Sequence, residues 1–100
     1  SWVENLVDYA KQKSLHKYTA QFGGSRGSIE SYKEGIVMHT GERKVAVRSN
    51  YVQSLSQAST EPFSKVGAEM TYYDMFGNLE KISFQMREID FKALKMDLGK

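Results

Sequence analysis

Groups able to donate protons, accept protons or hold anions gather in one short stretch, His39-Thr40-Gly41-Glu42-Arg43-Lys44, with Arg48 just beyond it. An imidazole and a carboxylate on either side of a tight turn could act as base and acid in a small metal-independent ribonuclease. Arg43, Lys44 and Arg48 would then grip phosphates without reading bases. The plainer reading is a solvated, charged turn, because proton transfer also needs a cleft that holds a substrate.

Other chemistries lack their parts. The chain has no cysteine and its histidines are His16 and His39 alone, so thiolate metal sites and Cys nucleophiles are excluded, and no His-x-x-x-His spacing suggests a metal. The Gly23–Ser28 stretch carries Arg26 but lacks the terminal Gly-Lys-Ser or Gly-Lys-Thr of a phosphate-binding loop, and it reads as a flexible connection. No cofactor is expected. A different kind of candidate is the Tyr73, Met75 and Phe76 cluster. These residues fall at the tip or on the outer face of an expected hairpin, where exposed aromatic and thioether side chains are natural anchors for a partner.

The elements that position these groups follow from periodicity. Ser1-Trp2-Val3-Glu4 fits a capping box, and Trp2, Val3, Leu6, Val7 and Ala10 recur at helical spacing, which predicts an amphipathic helix over 2–14. A short strand is expected over 17–22. Two long strands, 29–40 and 43–55, are expected around Thr40-Gly41-Glu42-Arg43, with His39 opposite Lys44, Met38 opposite Val45, Ile36 opposite Val47 and Tyr32 opposite Tyr51. A short helix after Asn50 competes with the end of the second strand.

Residues 58–67 read as a connection. Ala68, Met70 and Tyr72 then alternate with polar neighbours, as do Ile82, Phe84 and Met86, around Asp74-Met75-Phe76-Gly77-Asn78. That is a hairpin with Met70 opposite Ile82 and Gly77 in the left-handed region. Asp90 could cap a last helix bearing Phe91, Leu94 and Leu98 and stopped by Gly99, with a continued strand as the alternative.

Leu6, Tyr9, Leu15 and Tyr18 resemble the opening helix and first strand of double-stranded-RNA-binding domains, over less than a fifth of the chain. The resemblance implies a Lys-Lys-rich start to a second helix, which has no counterpart here. The 68–87 hairpin also has no place in that fold.

At 100 residues, with 40% hydrophobic and 26% charged, the chain has the size of one domain, 1–100. The expected fold is α+β: an N-terminal amphipathic helix packed on a four-stranded antiparallel meander, with a short C-terminal helix. A net charge of +2 conceals an asymmetry, since residues 11–48 hold eight Lys or Arg against three Glu. No apolar stretch approaches the roughly 20 residues of a spanning helix, and no signal-like leader is visible, so a cytoplasmic protein with no membrane partner is expected. The function expected is a small non-enzymatic binding or assembly module, acting on a protein partner or by self-association. The alternative is RNA binding by the basic face of His39, Lys44 and Arg48 beside Arg43.

Overall fold

A computed structural model describes residues 14–41 and 43–100. The expected N-terminal helix lies outside the described residues but for Ser14, as does Glu42. The described chain forms seven strands: β1 (His16–Phe22), β2 (Ser25–Ser31), β3 (Gly35–Thr40), β4 (Arg43–Arg48), β5 (Val52–Glu61), β6 (Lys65–Tyr73) and β7 (Leu79–Arg87). One helix, α1 (Glu88–Leu98), ends it.

The strands make a single antiparallel sheet in the order β4-β3-β2-β1-β7-β6-β5, which overturns the expected four-stranded meander under an N-terminal helix. Three local readings account for the difference. The stretch expected as one strand over 29–40 breaks at residues 32–34, where the Tyr32 amide donates to the Gly35 carbonyl at 2.8 Å and turns the chain. The Gly23–Ser28 segment, expected as a flexible connection, turns only at residues 23–24 and then enters β2. The expected connection over 58–67 is mostly β5 and β6, joined by a turn at residues 62–64.

The 43–55 strand is also divided, by a 3₁₀ turn at Ser49–Tyr51, so Tyr32 does not pair with Tyr51. Beyond it, β5 hides its character from a period-two reading. A register shift between Val52 and Ser54 changes the phase of alternation, and Val52 and Leu55 therefore both reach the core although three residues apart. Where no bulge intervenes the expected pairings hold: His39 faces Lys44, Met38 faces Val45, Ile36 faces Val47, and Met70 faces Ile82.

Since β4 and β5 lie at opposite edges of the sheet yet only Ser49–Tyr51 separates them in the chain, the sheet must curl until these edges approach each other. Its inner face carries Ile29, Ile36, Met38, Val47, Val66 and Met70, all essentially inaccessible to solvent. Phe91, Leu94 and Leu98 of α1 cover them, each burial favouring the fold by about 1.5–3 kcal/mol.

The helix starts two residues before the expected cap. Its N-cap is Arg87, and Asp90 instead takes the Arg87 guanidinium at 2.9 and 3.0 Å. Gly99 stops it as expected, at φ 69°, with its amide donating back to Lys95 and Met96 carbonyls. Two clasps hold α1 across the curl. Lys95 Nζ donates to the Leu55 carbonyl at 3.1 Å on the β5 side. On the other side Asp97 accepts from the Tyr18 hydroxyl at 2.6 Å and the Ser31 hydroxyl at 2.7 Å, with His16 Nδ1 at 3.2 Å.

Candidate functional site

The loop between β6 and β7 is built around one carboxylate. Asp74 Oδ1 accepts the amides of Phe76 at 2.9 Å and Asn78 at 2.8 Å, while the Gly77 amide donates to the Asp74 carbonyl at 3.1 Å. Gly77 sits at φ 82°, the left-handed position that a residue without Cβ takes at little cost. The Asn78 amide, with that of Phe76, holds the Asp74 carboxyl below the usual carboxylate range. The tip is thus fixed by its own hydrogen bonds, yet its apolar side chains face solvent. Phe76 is 82% exposed, and Tyr73 and Met75 are exposed as well.

Leu79, directly opposite Tyr73 in the ladder, is 54% exposed and enlarges this patch. The pairing of Met70 with Ile82 already implied that position. Leu79 is not among the residues singled out in the sequence, since it lies beyond the Asp74–Asn78 turn and only its pairing with Tyr73 brings it to the patch.

Beside the tip lies β4, the edge strand of the sheet. A cleft of about 340 Å³ separates them, lined by residues 43–46 of β4 and by Tyr72 to Met75 and Glu80 of the hairpin. Charges meet across it. Burial pushes the Tyr72 hydroxyl up, with Glu80 adding to the rise and Arg43 opposing it from β4. Two groups of residues that are far apart in sequence, Arg43 with Lys44 and Tyr73 with Met75, therefore share one cleft. Phe76 stands next to it at the tip, whereas Arg48 lies at the far end of β4 and does not line it.

The basic face expected around His39 is different in kind. His39 Nε2 lies 2.5 Å from Glu30 Oε1, and the Tyr32 hydroxyl donates to the other Glu30 oxygen at 3.4 Å. Val37 between His39 and Gly35 is buried. The acid–base pairing of His39 with Glu42 lies outside the described residues; Glu30 is the carboxylate that His39 meets among those described. Among the described residues no group of three or more His, Asp or Glu side chains is placed to hold a metal ion, and no helix is long and apolar enough to cross a membrane.

The Asp97 cluster could not be seen in sequence, since its members are separated by up to 81 positions. It fastens the helix. Burial would raise the Asp97 carboxyl, but donation from Tyr18, Ser31 and His16 together outweighs burial and holds it below the ordinary range.

No family model matches the chain. No curated protein matches it either. Its fold is similar to the crystal structure of the C-terminal domain of an unknown protein from Leishmania infantum, with a TM-score of 0.63 at 10% identity, covering 99% of this chain and 95% of that one. At that identity the likeness shows the fold alone.

Proposed function

We propose that this domain is a non-enzymatic binding module that takes an extended, acidic segment of a partner protein along the β4 edge, anchored by the β6–β7 tip. One observation carries the reading: a tip pre-set by Asp74 presents Phe76, Met75 and Tyr73 beside a sheet edge and across a cleft from it. An edge strand offers a row of backbone donors and acceptors to an incoming strand, and neighbouring apolar side chains select what that strand carries.

The charges on β4 choose between partners. Two copies of β4 pairing antiparallel about Val45 and Ala46 would set Arg43 opposite Arg48, and like charges directly opposed are unfavourable. An acidic segment meets the same side chains favourably. In that register the bases disfavour self-association, and they suit an acidic strand on the β4 wall of a cleft whose other wall carries Asp74 and Glu80, while Phe76 and Met75 supply the desolvated contact that dominates such interfaces.

Selection of short random peptides on the immobilised chain tests this. The expected winners alternate Asp or Glu with an apolar anchor, and Phe76→Ser and Arg43→Glu each weaken them by roughly tenfold. The proposal is overturned if nothing is enriched or if the winners ignore both substitutions. It is equally overturned if light scattering finds a dimer that Phe76→Ser dissociates, or if an RNA oligonucleotide takes the place of the peptides.

A further inference from the structure

The sheet has a second discontinuity, between β1 and β7. These strands share a single ladder pair, Gln21 with Gln85. Had the ladder continued, Thr19 would face Arg87; instead the strands splay, leaving a cleft of about 480 Å³. Four cations line it: Lys17 from β1, Arg26 from β2, Lys65 from β6 and Arg87 from β7. Gln21 and Gln85 add side-chain amides that can donate hydrogen bonds.

Two features make this more than a solvated face. Lys65 stands directly opposite Arg87 in the β6–β7 ladder, so two cations from neighbouring strands are held side by side at the cleft, with Glu61 facing Lys65 from β5 on its other side. The carboxylate at the site, Asp90, is already taken by Arg87 through two hydrogen bonds. Among the described residues no ion pair holds Lys17, Arg26 or Lys65. Three cations without an ion pair among the described residues, lining one cleft together with neutral donors, suit a phosphate group.

We infer that the β1–β7 cleft binds a compact ligand carrying two or more phosphate groups. Its volume suits a small molecule. Among the described residues the lining holds no aromatic side chain on which a nucleobase could stack, which favours clustered phosphates over single-stranded nucleic acid. The site is separate from the β4 cleft, and the inference does not rest on the peptide-binding reading.

Calorimetric titration with inorganic tripolyphosphate and with free inositol hexakisphosphate, in buffer of near-physiological salt, is the test. Saturable binding is expected, weakened at least roughly tenfold by the exposed pair Arg26→Gln and Lys65→Gln, with the circular dichroism spectrum unchanged. Arg43→Gln with Lys44→Gln, carrying the same charge change elsewhere, should leave the affinity within about twofold.

Vesicles containing phosphatidylinositol bisphosphate distinguish the two sources of the same chemistry. Binding to free ligand alone marks a soluble molecule, and binding to both marks a lipid headgroup. The inference is overturned if neither polyphosphate saturates, if both double variants weaken binding equally, or if only an RNA oligonucleotide binds.

Discussion

The Asp74 carboxylate accepts the Phe76 amide at 2.9 Å, so the residue that turns the hairpin also aims its most exposed side chain. Removing that acceptor should loosen the tip without reaching the core. Asp74→Ala is expected to weaken a selected peptide by about threefold to tenfold, chiefly by raising its dissociation rate, since a pre-set anchor loses less entropy on binding. Unfolding curves should shift little.

Asp97 ties stability to acidity. Its folded-state carboxyl lies below the ordinary range, so the unfolded chain binds its proton first as pH falls. The stabilisation is present above about pH 4 and is lost as pH falls through the folded value. Asp97→Ala would leave the hydroxyl of Ser31, a residue 1% exposed, without its acceptor, at a cost of about 2–3 kcal/mol. Urea unfolding at pH 7 and pH 3 checks both points: the gap between wild type and variant should narrow at the lower pH.

Gly27 is required by contact. A Cβ there would lie 1.9 Å from the His39 carbonyl oxygen, and that oxygen belongs to the backbone of the neighbouring strand. Gly27→Ala should therefore destabilise the domain by about 2–3 kcal/mol, or roughly 10 °C or more in melting temperature. Gly24→Ala, where a Cβ meets nothing within 4 Å, is the control and should change little.

Phe63 holds a left-handed backbone, φ 64°, in the β5–β6 turn while 93% exposed. Asn tolerates this region better than an aromatic residue, and a β-branched residue tolerates it worst. Phe63→Asn should stabilise the domain by about 0.5 kcal/mol and Phe63→Val should destabilise it by about 1 kcal/mol. The turn lies at the opposite end of β6 from Tyr73, so neither change should affect peptide binding.

Legibility followed locality. The 36–47 and 70–82 pairings could be read because alternation was unbroken and Gly41 and Gly77 marked the turns. The break at residues 32–34 has no signal in the sequence, and the one at Ser49–Tyr51 shows only as the short helix competing after Asn50, because polar residues permit a turn without requiring one. The β5 bulges moved Val52 and Leu55 out of phase, so a strand with few apolar residues gave no strong signal.

The chemistry-bearing residues were visible as types, and their neighbours were not. Glu30 as the partner of His39, and Asp97 as the partner of Tyr18, depend on pairings that only the folded sheet creates. The meeting of Arg43 with Tyr73 needs the sheet to curl, a property of strand order that local sequence does not carry.

Amide hydrogen exchange of the chain, alone and saturated with a selected acidic peptide, tests the central claim most directly. The expected result is new protection confined to β4, residues 43–48, together with the 73–76 tip, because an added strand hydrogen-bonds to that edge and covers that loop. Protection appearing instead along β5 or around the β1–β7 cleft, or no protection at saturation, would contradict it.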